Sequence, residues 1–271
     1  PNITPYSIGR TMFPIRDDNP QILTPYVTYG IIALNVLVWV VVQGLGSDPT
    51  LSGSICRLGL IPGELLQTIP AGTRFQVGPN MVCVLGDTST WHTTVTSMFM
   101  HGGWLHIIGN MWFLWIFGDN VEDSMGHTRF AVFYLICGVA AAAAEITSNP
   151  ESVVPMVGAS GAIGGVMGAY IILYPRVHVH MFIFLGFLVT TVAVPAVLML
   201  GYWLLVQVFS GVSSFGAQGG GVAFWAHIGG FIAGAVLIQI FKDKDLLAQH
   251  PYHGWRQQRS PTQNWRRVRR L

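Results

Sequence analysis

From Pro175 to Phe241 the chain carries one formally charged side chain, Arg176. A stretch of that length is foreign to a soluble core, because soluble domains run at about a quarter charged residues. Across the 271 residues the charged fraction is 10%, the hydrophobic fraction 51% and the mean hydropathy +0.51. Uncharged apolar runs of about 20 residues read as membrane-spanning helices. Six apolar spans can be placed, at about 26–46, 103–121, 128–147, 159–174, 181–209 and 222–241. The fifth is overlong and contains Pro195, which is expected to kink it. The expected fold is an all-α, polytopic membrane protein: a bundle of six transmembrane helices.

Lys and Arg in the flanks orient these spans. With the N-terminus inside, Arg10, Arg16, Arg129, Arg176 and the eight basic residues after Phe241 lie on the inner side, against Arg57 and Arg74 outside. Both termini are therefore expected in the cytoplasm, and the plasma (inner) membrane is the expected location. Residues 1–25 form a cytoplasmic segment with no apolar core, unlike a signal peptide. Residues 26–241 form the membrane domain, with an exterior first loop at about 47–95 that rests partly on the membrane surface. Residues 242–271 form a basic cytoplasmic tail. Its stretch "RQQRSPTQNWRRVRRL" suits anionic lipid headgroups, with nucleic acid as a second and less favoured reading. Cys56 and Cys83 both fall in the exterior loop, where an oxidising environment permits pairing, while Cys137 reads as a packed helix residue. There is no CxxC pattern, and neither a metal nor a cofactor is expected. No inverted repeat of the transporter kind is visible.

Polar groups inside a bilayer are costly and mark function. The second span holds His106 and Asn110, with His101 at its mouth; the third ends with Glu145; the fourth begins with Ser160; the sixth holds His227. Under the topology above, spans two, four and six run the same way. His106, Asn110, Ser160 and His227 then share one depth, within about 10 Å of the outer surface at 1.5 Å per residue. Asn110 stands four residues after His106 and shares its helix face. A serine hydroxyl becomes a nucleophile when a base takes its proton, and histidine is the usual base. A tetrahedral intermediate needs donors for its oxyanion, and Asn110, His106 and the Ser160 backbone N–H can supply them. No acidic residue falls beside His227 at this depth, so a Ser–His dyad is expected. Asp119, Glu122 and Asp123 sit at the other end of span two, and Glu145 is expected in water or in a structural role. Gly161-x-x-x-Gly165 and Gly164-x-x-x-Gly168 on span four, and Gly230-x-x-x-Gly234 on span six, make flat faces for backbone-to-backbone packing.

"HGGWLHIIGN" (101–110), "GASG" (158–161) and "AHIGGFIAG" (226–234), in this order over six spans, resemble the rhomboid intramembrane serine proteases. The resemblance covers about residues 20–241. It implies Ser160 as nucleophile, His227 as general base, and His106, Asn110 and the Ser160 N–H as the oxyanion site. It implies that Glu122 is structural, that span five faces a lateral gap, and that single-pass membrane proteins are the substrates, cut near the outer face of the bilayer. The first loop reads Trp91-His92 where the family usually has Trp-Arg. Two other readings differ in class. An inactive relative that binds transmembrane helices would normally lack the serine or the histidine, and a solute channel would carry polar groups through the full depth.

Overall fold

The computed structural model describes residues 11–77, 81–185, 188–214 and 222–253. Arg10 and the tail beyond residue 253, both used above to orient the chain, lie outside them. The chain opens on strand β1 (Thr11–Asp17) and helix α1 (Tyr26–Val41). The first loop follows, with α2 (Thr50–Leu58), α3 (Pro62–Leu65), the hairpin β2 (Arg74–Gln76) and β3 (Val82–Val84), and α4 (Thr93–Thr96). Then come α5 (Trp104–Met125), α6 (His127–Ser148), α7 (Ser160–Leu173), β4 (His178–Leu185), β5 (Leu188–Pro195), α8 (Ala196–Ser213), α9 (Phe224–Phe241) and α10 (Lys244–Gln249).

The chain is mostly helical. By length and composition α6, α8 and α9 are each able to cross a membrane, and α1 and α7 are shorter apolar helices. α5 has the length but carries Asp119, Glu122 and Asp123 in its last two turns. Large apolar side chains stay exposed along the outer helices, such as Leu37 and Val41 on α1, Leu198 and Phe209 on α8, and Val236 and Ile240 on α9. An apolar exterior of this extent is a surface for lipid.

α7 is the central helix, buried over nearly its whole length among α5, α6 and α9. Its glycines let α9 come close. A Cβ on Gly230 would run into the Gly161 carbonyl, one on Gly234 into the Gly165 carbonyl, and one on Gly168 into the Phe231 carbonyl. The small-residue faces therefore pack backbone against backbone, where dispersion and weak polar contacts replace the hydrophobic drive that lipid removes. At the end remote from Ser160, the chain reverses between α5 and α6 at Gly126, whose φ of +80° suits glycine.

Two features depart from the expected all-α bundle. The run 181–209 is not one kinked helix. His178–Leu185 and Leu188–Pro195 pair as antiparallel strands, and the helix begins only at Ala196. The run is rich in Val, Ile, Thr and Phe, which favour the pleated conformation, and its length exceeds a single span. Pro195 ends the strand and precedes the first helical residue, where its missing N–H costs nothing; it kinks no helix. The N-terminal segment adds β1 to this pair, in the order β1-β4-β5. The sheet reaches from α5, where the Trp112 indole N–H donates to the Pro14 carbonyl (2.7 Å) and Phe13 packs on Trp112, to α8, into which β5 runs directly.

The first loop also has more structure than a membrane-surface segment. Cys56 on α2 and Cys83 on β3 form a disulfide with Cα atoms 5.7 Å apart. Cys137 is free and buried on α6.

Candidate active site

Three helices, α5, α7 and α9, begin at one end of the bundle. His106 is the third residue of α5 and Asn110 the seventh, Ser160 is the first of α7, and His227 is the fourth of α9. All four line one cavity of about 490 Å3, together with Gly158 and Trp203.

The Ser160 Oγ–H donates to His227 Nε2 at 2.7 Å. These residues are 67 positions apart and are brought together by the close α7–α9 contact. The other groups are arranged as donors. Gly102 N–H donates to His106 Nδ1 (3.2 Å), which leaves the ring proton on Nε2. That Nε2 faces Gly158, where a Cβ would lie only 2.6 Å from it. Asn110 is 8% exposed, yet its side-chain N–H2 has no protein partner. Buried donors are normally satisfied. An orphan amide in a cavity, next to an imidazole N–H and the head of a helix, can receive an oxygen carrying negative charge.

The surroundings fix these groups. His101 is fully buried and meets the His106 ring edge to face at 5.2 Å. Burial and the neighbouring His106 push His101, ahead of α5, down to about 3, so it stays neutral. Its backbone is clamped by Gln43, which accepts from His101 N–H (2.9 Å) and donates to the His101 carbonyl (2.8 Å). Glu145 is not simply exposed to water. Its carboxylate accepts from Ala226 N–H (3.2 Å) in the first turn of α9 and from Asn149 Nδ2 (2.8 Å). A carboxylate at that helix N-terminus is favourably placed and anchors the residue before His227.

At the opposite end of the bundle, Glu122 is fully buried. It accepts from Val27 N–H, Thr28 N–H and the Thr28 hydroxyl, and meets His127 Nδ1 at 2.5 Å. α1 has no side-chain N-cap of its own, so α5 supplies one. Asp123 does the same for Ile22 N–H and Leu23 N–H. Among the described residues no group of three or more potential metal ligands converges.

One contact was not foreseen. His227 Nδ1 lies 2.8 Å from Gln207 Oε1 on α8. The signal was present as a strong hydrogen-bonding group inside an otherwise apolar helix.

Helix bundle, lipid-facing exterior and buried hydroxyl–imidazole pair define a class, that of helical membrane proteins with a Ser–His site sunk below one end. Within that class, the family model of the Rhomboid domain matches residues 88–244, more than half of the chain. The chain belongs to the rhomboid family. It is 34% identical over 149 residues to the rhomboid protease GluP of Bacillus subtilis, covering 54% of this chain and 26% of that protein. It is 27% identical over 148 residues to rhomboid protein 1, mitochondrial, of Saccharomyces cerevisiae, covering 52% and 39%. With the chloroplastic rhomboid-like protein 11 of Arabidopsis thaliana it shares 37% identity over 92 residues, covering 34% and 32%. The chain thus spans between about a quarter and two-fifths of the length of these relatives. The family includes serine proteases and its members are integral to membranes.

Proposed function

We propose that the protein is an intramembrane serine endopeptidase that cuts transmembrane segments of single-pass membrane proteins near the outer face of the bilayer. The observation that carries this reading is the 2.7 Å Ser160–His227 hydrogen bond beside the partnerless Asn110 amide in the same cavity.

The chemistry follows from the geometry. Ser160 Oγ attacks the carbonyl carbon of the scissile peptide bond while His227 Nε2 takes the hydroxyl proton. The carbonyl π pair moves onto the oxygen. Asn110 Nδ2–H, His106 Nε2–H and the Ser160 backbone N–H bind that oxyanion. Collapse breaks the C–N bond, and the leaving amine takes the proton from His227. Water then enters and attacks the acyl carbon as His227 takes its proton; the C–O bond to Ser160 breaks, and His227 returns the proton to Ser160 Oγ. A helical substrate must unwind locally, since its backbone is shielded, so helix-breaking residues near the cut favour cleavage. Glycines lining the cavity beside the serine, Gly158 and Gly161, favour a small side chain next to the cut.

We place six spans, α1 and α5 to α9, in a plasma membrane, and the distribution of Lys and Arg supports cytoplasmic termini. It makes 1–25 an inner segment, 26–241 the protease domain with its first loop outside, and 242–271 a basic inner tail in contact with anionic lipid. The test is labelling of the purified chain by a fluorophosphonate probe. Label on the wild type that disappears in Ser160→Ala supports the nucleophile. Equal labelling of both, or Ser160→Ala cutting a transmembrane substrate at the wild-type rate, rejects it.

A further inference from the structure

An imidazole acts as base through Nε2 only in the tautomer that carries its proton on Nδ1. In an apolar bundle nothing selects that tautomer unless an acceptor faces Nδ1. α8 provides one, the Gln207 carbonyl oxygen at 2.8 Å. Gln207 is 8% exposed, the twelfth residue of a helix built from apolar side chains, glycine and serine. A buried amide in such a helix is costly without a partner. One turn earlier on the same face, the Trp203 ring packs over His227 with centroids 5.8 Å apart. α8 therefore holds the imidazole at its edge and on its face.

The other groups around His227 are already committed. His106 faces it from α5, with Nδ1 accepting from Gly102. Glu145, on α6, uses its oxygens on Ala226 N–H and Asn149. From α7 the Ser160 hydroxyl meets His227.

We infer that Gln207 is the positioning residue of the base: Nδ1–H of His227 donates to Gln207 Oε1, so the working unit is Ser160–His227–Gln207. This rests on the protease reading above. A neutral acceptor fixes tautomer and ring orientation without placing a second charge in the membrane, where an unpaired carboxylate would be costly. Because the acceptor sits on α8, a shift of that helix by an ångström or so takes it beyond hydrogen-bond reach. The base is complete only while α8 is seated on α9.

The experiment compares full-length wild type, Gln207→Leu and Gln207→Glu in detergent, using a fluorophosphonate and its labelling rate against concentration and pH. In Gln207→Leu the maximal labelling rate falls about 10- to 100-fold, the cost of losing an orienting partner. The half-saturating concentration stays the same, and the acidic limb of the profile moves to lower pH because the imidazolium loses an acceptor. In Gln207→Glu most of the rate returns and the acidic limb moves to higher pH, since a carboxylate favours the imidazolium. A Gln207→Leu chain with unchanged thermal midpoint, rate and acidic limb overturns the assignment. Should that variant fail to fold, an unmoved acidic limb in Gln207→Glu overturns it equally. If the wild type takes no label, the protease reading fails, but the positioning role is still read from 15N-histidine spectra. A His227 ring protonated on Nδ1 in the wild type and mixed in Gln207→Leu sustains it; the same tautomer in both rejects it.

Discussion

At the scale of single residues, the site depends on how close the backbone comes to the imidazole of His106. Gly158 has a φ of +126°, and a Cβ there would meet His106 Nε2 at 2.6 Å and Asn110 Nδ2 at 3.5 Å. Gly158→Ala is therefore expected to strain the loop and push His106 out of the oxyanion position. Fluorophosphonate labelling and substrate turnover should both fall steeply while the helical circular dichroism signal stays; retained turnover would leave Gly158 as a mere turn residue. Asn110→Ala removes one donor of the proposed oxyanion site and should lower kcat by about 10²–10³-fold. His106→Ala should cost less if its N–H reaches only part of the developing charge. Thermal unfolding in detergent separates these effects from lost packing, and a fully active, normally stable Asn110→Ala chain would remove Asn110 from the mechanism. That Ser160, His227, His106 and Asn110 meet at one cavity was legible, because hydroxyl, imidazole and amide groups are rare in apolar spans and these four fall at one depth. Gln207 was not. Its partner lies 20 positions away on another helix, and spacing within α8 says nothing about which side chain of α9 it meets.

At the scale of elements, α5, α7 and α9 were readable to within a few residues because long apolar runs have few alternatives in lipid. The stretch 178–195 was not, because a short apolar run satisfies a strand and a helix alike. What decides it is pairing with β1, more than 160 positions earlier, and no local pattern contains that partner. The first loop was likewise underread: its small helices and hairpin are joined by the Cys56–Cys83 disulfide, which closes a separation of 27 residues. By loop-closure entropy such a bridge contributes about 3–4 kcal/mol to the stability of what it encloses. Reduction is expected to lower the thermal midpoint, and Cys56→Ser, Cys83→Ser and the double variant should be equally destabilised. Alkylation of both cysteines in unreduced protein, read by mass spectrometry, would contradict the bridge.

At the scale of the whole molecule, the two ends of the bundle are built on opposite principles. The Ser160 end keeps donors unpaired around a cavity, whereas the other end is locked by carboxylates reaching between elements. Glu122 and Asp123 bind the backbone ahead of and within α1, and the Tyr170 hydroxyl donates to Asp17, fastening the β1 edge of the sheet to the central helix α7. The Tyr170–Asp17 fastening responds to pH. Burial pushes Asp17 up from its ordinary 3.8 to about 6, against the lowering effect of the Tyr170 hydrogen bond, with Asp18 adding to the rise and Asp119 facing it from α5. The folded chain therefore holds this proton more tightly than the unfolded one. The stability it contributes is complete below about pH 4, is lost as pH rises through about 6, and is flat above that. Asp17→Asn keeps an oxygen to accept from Tyr170 and removes the titration. Thermal unfolding of both chains in detergent, at steps from pH 4.5 to 8, should show the variant gaining on the wild type as pH rises and levelling off above about 6.5. A wild-type-minus-variant difference that stays constant across that range would mean that Asp17 is charged at both ends of it, and that the fastening of β1 to α7 is an ordinary exposed hydrogen bond.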